Sequence, residues 1–158
     1  MASRNDAPHG HPQSTAKIGG HPIHPMLVPF PIVCFIGALV TDLAFLHYGN
    51  AHGWAVAGRI LLVVGLIMAA LAAVTGLTDF LGEKRIQGSD AIHHMLANVS
   101  AVVIELVNLF LRWHNDAAIG KIGVYLSALV VLILLYSGWK GGELVFKHGM
   151  GVQDTPNM

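Results

Sequence analysis

The sequence is short of charge. Only 11% of its 158 residues are Asp, Glu, Lys or Arg, whereas a soluble domain usually carries about 25% charged residues. So few charges cannot cover a soluble surface. Nine basic side chains balance nine acidic ones, which excludes the basic footprint of a nucleic-acid-binding protein.

The sequence also lacks the residues of several kinds of chemistry. Its single cysteine, Cys34, excludes an intramolecular disulfide and a CxxC redox motif. Its position inside an apolar run favours a packing role. No HExxH segment and no serine or cysteine nucleophile motif occurs, so the sequence predicts no stand-alone enzyme.

The two ends of the chain lack apolar runs. Residues 1–20 read MASRNDAPHGHPQSTAKIGG, a polar segment that predicts a disordered N-terminal tail. It contains no apolar stretch with a cleavage site, so we expect no signal peptide. Residues 153–158 are predicted to form a C-terminal tail.

The sequence does have four long apolar runs, at residues 26–46, 54–81, 92–113 and 119–139, within a domain that spans 21–152. Each has the roughly 20 residues that a helix needs to cross a bilayer. A soluble helical bundle is the alternative, but residues 60–74 contain no ionisable side chain, and a soluble helix needs a polar face. Short connections favour antiparallel neighbours. The prediction is an all-α membrane protein, an up-down bundle of four transmembrane helices surrounded by lipid.

The distribution of Lys and Arg predicts the orientation of the bundle. With four spans, both termini lie on one side. That side holds Arg4, Lys17, Lys84, Arg85, Lys140 and Lys147, and the other holds Arg59, Arg112 and Lys121. By the positive-inside rule we expect both termini in the cytoplasm.

The third span carries a stripe of polar side chains. Five residues at helical spacing share one face: His94, Asn98, Glu105, Asn108 and Arg112. Polar groups are costly in lipid, so this face is predicted to point into the bundle or toward another subunit. Glu105 is expected to be protonated or paired. The stripe is interpreted either as a set of interhelical hydrogen bonds or as a path for protons or a cofactor.

Hairpin geometry suggests partners for three acidic and basic groups. Asp42 and Arg59 lie equally far from the first turn, which predicts an ion pair between them. Asp79 stands level with His93 across the second turn, and Thr78 stands level with His94. A carboxylate beside an imidazole orients a metal-binding histidine, although it is also a good buried pair without a metal.

Ten histidines are the unusual feature of the composition. The predicted topology places His21, His24, His93, His94 and His148 at the end that carries the termini. It places His47, His52 and His114 at the other end. The first and third spans also begin alike, with Ile23-His24-Pro25-Met26-Leu27 and Ile92-His93-His94-Met95-Leu96. These two helices run parallel, so their histidines are predicted to lie at the same depth.

Several motifs together resemble a known family. They are the HPxHP segment at 21–25, Asp42 late in the first span, TGLTD at 75–79, the histidine pair at 93–94 and the GGELV…HGMGV ending at 141–152. This set resembles a widespread bacterial family of four-helix membrane proteins catalogued as a domain of unknown function. The resemblance covers about residues 20–152 and implies an inner-membrane location. Some members look like membrane partners of Rieske-type iron–sulfur domains, which implies electron transfer; this chain has no Rieske ligands of its own.

Three functions remain open on the sequence. The first is a haem-b-binding subunit of a redox complex, with His24 and His94 (or His93) as iron ligands, His21 nearby and Asp79 behind them; His47 and His114 would form a second site. The second is an accessory or scaffold subunit without a cofactor, which acts in a larger complex or as a homo-oligomer. The third is a small transporter of protons or a transition metal along the Glu105 face.

Overall fold

The computed structural model describes residues 10–152; the predicted tail segments 1–9 and 153–158 lie outside the described residues. In chain order the elements are β1 (Lys17–Ile18), β2 (His21–Pro22), α1 (Ile23–Leu27), α2 (Pro29–His47), α3 (His52–Gly82), a 3₁₀ turn (Lys84–Ile86), α4 (Ser89–Arg112), a π-helical turn (Ile119–Gly123) and α5 (Val124–Phe146).

Four helical segments are long and apolar enough to cross a membrane: Ile23–His47, His52–Gly82, Ser89–Arg112 and Ile119–Phe146. The predicted fold class, an all-α membrane protein, is therefore confirmed. All the helices except α4 at its C-terminal end, which stops one residue short at Arg112, reach or pass the ends of the predicted spans. The polar turns at their ends continue the helix without contributing to the apolar pattern. The 31 residues of α3 give a length of about 46 Å at 1.5 Å per residue, so its ends project beyond a bilayer core or the helix tilts.

Prolines divide the first span in two. α1 ends at Leu27, and α2 begins at Pro29 with proline in its first turn. Pro29 and Pro31 have no N–H to donate to the preceding turn, so the helical hydrogen bonds are interrupted at this point. His24 therefore lies on the short helix α1, before the interruption.

The structure differs from the predicted disordered tail at residues 10–20. Residues 12–18, called here the N-terminal strap, lie across one end of the bundle. The Gly151 N–H donates to Pro12 O at 2.8 Å, and the Ile23 N–H donates to Ala16 O at 2.9 Å. Ser14 is only 5% exposed. Composition alone predicts disorder here because the acceptor that anchors the strap, described below, lies some 60 residues away in sequence.

The four long helices form a square. α2 packs against α3 and α5, and α4 packs against α5 and α3, so α2 and α4 face each other across the diagonal. The core between them takes at least one residue from each helix: Phe35, Ala38, Leu62, Ala69, Ala101 and Val130. We call the end with the strap and the 83–88 loop the terminal end, and the end with the 48–51 and 113–118 loops the hairpin end.

Exposed aromatic side chains surround the bundle near both ends. Tyr48, Trp54 and Trp113 lie at the hairpin end, and Trp139 and Phe146 lie toward the terminal end. Trp and Tyr collect at the interfaces between lipid and water. The two groups therefore mark where the surfaces of a membrane would meet the bundle.

Small residues let α3 approach its neighbours closely, since Gly58, Gly65, Ala69 and Ala72 are all buried. A Cβ atom on Gly65 would lie 2.6 Å from Phe35 Cε1 and 2.9 Å from Cys34 Cβ. Van der Waals packing between close backbones is a main attraction between helices in lipid.

We expect Gly65→Ala to destabilise the protein by about 1–3 kcal/mol, because the buried Phe35 ring must move to admit the methyl group. Thermal unfolding in detergent measures the change. Gly138→Ala is the matched control, since a Cβ atom there meets nothing within 4 Å. Equal losses in the two variants would contradict the packing assigned to Gly65.

Candidate functional site

Polar side chains from the diagonal helices meet at two levels in the bundle. His24 and Asp42 are 18 residues apart, and so are His94 and Arg112. Eighteen residues are five helical turns, or about 27 Å. His24 meets His94 near the terminal end, and Asp42 meets Arg112 near the hairpin end. Residues 70 positions apart in the chain therefore meet at both levels, one from each half of the bundle.

The histidine pair joins the two halves. The ring centroids of His24 and His94 lie 6.3 Å apart, and the ring planes are nearly perpendicular at 87°. Both side chains are half-buried. The prediction that these two histidines lie at one depth is confirmed, although the matching letters at the starts of the two spans align His24 with His93 rather than with its actual neighbour His94.

Each ring is oriented by a backbone carbonyl of the next helix. His24 Nδ1 lies 2.8 Å from Ala72 O, and His94 Nδ1 lies 2.9 Å from Ser137 O. A carbonyl only accepts hydrogen bonds, so Nδ1 carries the proton in both rings. In the neutral imidazole Nε2 then holds a lone pair, which is the form that binds a metal.

Glycines repeat beside the two rings. A Cβ atom on Gly76 would lie 2.8 Å from His24 Nδ1, and one on Gly141 would lie 3.1 Å from His94 Cε1. Each glycine is four residues beyond the carbonyl that orients its ring. The same environment is therefore built twice, once in each half of the bundle.

One contact breaks the symmetry. Asn98 Nδ2 lies 3.2 Å from His94 Nε2 and 2.7 Å from Ser137 Oγ. Asn98 Nδ2 also lies 2.9 Å from His94 O, so its two N–H groups are shared among three acceptors, and the amide lies against the lone pair that a metal would use. A metal at this site requires the amide to move away from Nε2.

The other histidines do not join the pair. His93 and His21 are exposed, and His93 contributes to a shallow groove on the outer face with Leu96 and Tyr136. His148 contacts Asp90. Among the described residues no group of three or more His, Cys, Asp or Glu side chains is placed to hold a metal ion, so a metal between His24 and His94 would have two protein ligands.

The proposed second histidine site is not assembled in the described part of the chain. His47 and His114 are both exposed at the hairpin end. Each makes its ring contact with the adjacent aromatic residue, His47 with Tyr48 and His114 with Trp113. Their positions are those of interfacial side chains.

Asp79 does not contact His93 or His94 as hairpin geometry predicts. Its Oδ1 instead accepts from Thr15 N at 2.8 Å, Ala16 N at 2.9 Å and Ser14 Oγ at 2.9 Å. Counting along a hairpin gives the depth of a residue but not the direction in which its helix faces. Asp79 anchors the N-terminal strap, and through the Ala16–Ile23 bond it supports the start of the helix that carries His24.

The predicted ion pair between Asp42 and Arg59 is also not formed. Asp42 accepts two hydrogen bonds from Arg112, at 2.5 and 2.9 Å. Both side chains are fully buried, at 1% and 0% exposure. The Asp42 side chain points across the bundle toward α4, the diagonally opposite helix. Its partner therefore comes from α4 rather than from the adjacent α3.

The predicted polar face of α4 points inward, which confirms that interpretation. Glu105, Asn108 and Arg112 are fully buried. Arg112 Nε and Nη2 donate to Asn108 Oδ1, and Asn108 Nδ2 donates to Glu105 Oε2 at 2.8 Å and to Ser127 Oγ at 3.0 Å. Ser127 Oγ in turn donates to Asp42 at 2.8 Å. We call Asp42, Glu105, Asn108, Arg112 and Ser127 the ion network.

Sequence reasoning missed Ser127, Ser137 and the strap residues. Ser127 and Ser137 are the only serines in the fourth span. A hydroxyl group within an apolar run could have indicated that each makes a buried hydrogen bond. The strap residues gave no such signal, since Ser and Thr are ordinary in a polar tail.

Arg59 pairs with a loop residue at the hairpin end. It contacts Asp116, and Asp116 also contacts His52 at 2.5 Å. Burial alone would raise the pKa of Asp116, but the hydrogen bonds from Arg59 and His52 outweigh burial and hold the pKa below its ordinary value. This pairing stabilises the protein above the unfolded-state pKa of about 3.9 and is lost as the pH falls through the lower folded-state pKa.

We therefore expect acid to destabilise the wild type more than Asp116→Asn, by about 1 kcal/mol or less because the pair is partly exposed. Unfolding temperatures of both proteins between pH 6 and pH 3 measure this difference. Identical pH profiles would show that Asp116 makes no net contribution to stability.

The two levels are separated by apolar side chains. Phe35, Leu62, Ala101 and Val130 fill the space between the ion network and the Asn98–His94 contact. Within the described residues, no hydrogen-bonded chain joins the ion network to the histidine pair.

A family model described as a predicted membrane protein matches residues 20–154. A search of curated proteins found no match, and a search of solved structures also found none.

Proposed function

The chain belongs to the DUF2231 family of predicted membrane proteins, and we propose that it is a membrane subunit that binds one metal centre, haem b, between His24 and His94. The observation that carries the proposal is the meeting of these two imidazoles, one from each half of the bundle, each oriented by a carbonyl at Nδ1. The subunit would act in electron transfer with a redox partner or within a larger membrane complex.

The distance between the rings fits one bound metal. An imidazole nitrogen binds a transition metal at about 2.0–2.1 Å, so two rings on opposite sides of one ion have centroids roughly 6 Å apart, as the 6.3 Å separation allows. Two neutral imidazoles from facing helices are also the donor set that haem iron takes in membrane bundles.

The residues of the chain have defined roles in this proposal. His24 and His94 supply the ligand nitrogens, and Ala72 O and Ser137 O fix the ring orientations and the tautomers. Haem iron, when bound, supplies one-electron transfer. By the distribution of Lys and Arg, the site would lie at the cytoplasmic side of a bacterial inner membrane.

The experiment is a visible spectrum of the protein purified in detergent after expression with adequate haem, recorded oxidised and after reduction with dithionite. We expect a haem-b difference spectrum at near-stoichiometric occupancy. His24→Ala and His94→Ala should abolish it, and the control His93→Ala should keep it because His93 is exposed on the outer face. A colourless protein, or unchanged spectra in both ligand variants, would overturn the proposal.

The second candidate is an accessory subunit without a cofactor. The contact between Asn98 Nδ2 and His94 Nε2 favours it, because the amide lies where a metal bound to His94 would have to lie. Two shallow grooves on the described residues, one lined by His93 and Tyr136 and one by Phe110 and His114, include neither His24 nor His94 in their lining. A colourless protein that binds neither zinc nor copper, and co-purifies with a partner in mild detergent, would favour this function.

A further inference from the structure

Glu105 holds the one buried side-chain polar atom without a partner among the described residues, its Oε1 oxygen. The side chain is 0% exposed and lies in the C-terminal half of α4, about two turns before its end. A buried polar group normally finds a hydrogen bond, so an exception in the interior of a membrane bundle requires an explanation.

The ion network does not supply the missing partner. Both N–H groups of the Asn108 amide are engaged, one by Glu105 Oε2 and the other by Ser127 Oγ. Arg112 donates to Asp42 and to Asn108 Oδ1. The available donors therefore leave Glu105 with a single hydrogen bond.

Charge balance points to the state of the carboxyl group. The ion network contains one negative side chain, Asp42 of α2, and one positive side chain, Arg112 of α4, and their charges cancel. Arg59 of α3 is paired with Asp116, and α5 contributes the uncharged Ser127. A negative charge on Glu105 would be uncompensated in an apolar interior, which costs far more than a neutral carboxyl group with one weak hydrogen bond.

Access to Glu105 is one-sided. Toward the hairpin end, a series of contacts connects the surroundings of Glu105 with an exposed side chain. Arg112 Nε donates to Asn108 Oδ1, and Arg59 Nη1 donates to Arg112 O at 3.4 Å. Arg59 contacts Asp116, which in turn contacts the exposed His52. Toward the terminal end, the apolar core closes the route. We propose that Glu105 is a proton-binding site inside the membrane that takes up its proton from the hairpin end.

The ligand is the proton itself, so binding converts a carboxylate to a carboxylic acid and needs no other reactant. The site is independent of the histidine pair, which lies beyond the apolar core. A metal-free protein would still hold this proton.

Infrared spectroscopy at neutral pH tests the proposal. We expect the wild type to show the carbonyl band of a protonated carboxylic acid, and Glu105→Gln to lack that band. Glu143→Gln is the control, because Glu143 is ion-paired with Lys140 and its loss should remove carboxylate bands instead. Absence of any acid band in the wild type overturns the proposal without depending on a variant, as does loss of carboxylate bands in Glu105→Gln.

The direction of access is tested by exchange of the acid proton for deuterium. We expect Asp116→Asn to slow this exchange about tenfold, and Asn98→Leu, on the other side of the apolar core, to leave it unchanged. Exchange that is slowed by Asn98→Leu and not by Asp116→Asn would overturn proton uptake from the hairpin end.

Discussion

Replacement of Arg112 by methionine is expected to cost about 3–5 kcal/mol of folding free energy, the typical loss when one member of a buried ion pair is removed. Asp42, at 1% exposure, would be left as an unpaired buried charge or would have to take up a proton, and either is costly; it would retain only the hydrogen bond from Ser127. Asn108 Oδ1 would lose both donors that Arg112 provides. The free energy of unfolding in mixed detergent micelles measures the loss.

The double variant Asp42→Asn with Arg112→Met separates the charge from the packing. Removing both charges should recover most of the stability, since no buried charge is then left alone. Arg85→Met is the surface control. Arg85, which pairs with Glu83, is 41% exposed, and a pair with an exposed member is worth about 1 kcal/mol or less. A double variant no more stable than Arg112→Met would show that the ion pair is not the source of the loss.

Asp79→Ala is expected to release the N-terminal strap and to speed tryptic cleavage after Lys17 by about thirtyfold. The reason is the loss of a charged acceptor that binds Ser14, Thr15 and Ala16. Hydrogen bonds to a charged group contribute about 1.5–3 kcal/mol each, and about 2 kcal/mol corresponds to a factor of roughly 30. Lys17 is exposed in the folded protein, so cleavage is limited by how often the strap opens.

Asp79→Asn is the matched control for this prediction. The amide keeps an oxygen that accepts from the backbone N–H groups but has no charge, so its cleavage rate should lie between those of wild type and Asp79→Ala. Equal rates in all three proteins would show that Asp79 does not hold the strap. The spectrum of the alanine variant would further show whether the Ala16–Ile23 bond is needed to position His24.

The repeat within the bundle illustrates the reach of sequence reasoning. The resemblance between residues 23–27 and 92–96 pointed to equivalent histidines, and the depth it gave was right. The alignment was off by one residue, because the matching letters relate positions 69 apart, whereas the residues that meet in the bundle, His24 with His94 and Asp42 with Arg112, are 70 apart. Only the packing of α2 opposite α4 shows that His24 and His94 are the pair.

The pairing of charges illustrates the limit of sequence reasoning. Equal distance from a turn made Arg59 the expected partner of Asp42. The depth of both residues follows from counting, but their rotation about the helix axes depends on which small residues pack between neighbours. Gly58 shows this dependence: a Cβ atom there would lie 2.9 Å from Thr41 Oγ1 and 3.5 Å from both Asp42 Oδ1 and Arg112 Nη1.

The sequence by itself determined the membrane fold, the four spans and the inward face of α4. These properties depend on apolar runs and helical periodicity, which are local. Only the tertiary structure decided that Asp42 pairs with Arg112, that Asp79 anchors the strap and that His94 rather than His93 meets His24. It also decided that one oxygen of Glu105 has no hydrogen-bond partner among residues 10–152. Each depends on the relative rotation and diagonal placement of helices far apart in the chain. Close packing of glycines and side chains sets that arrangement, and it leaves no periodic signal in the sequence.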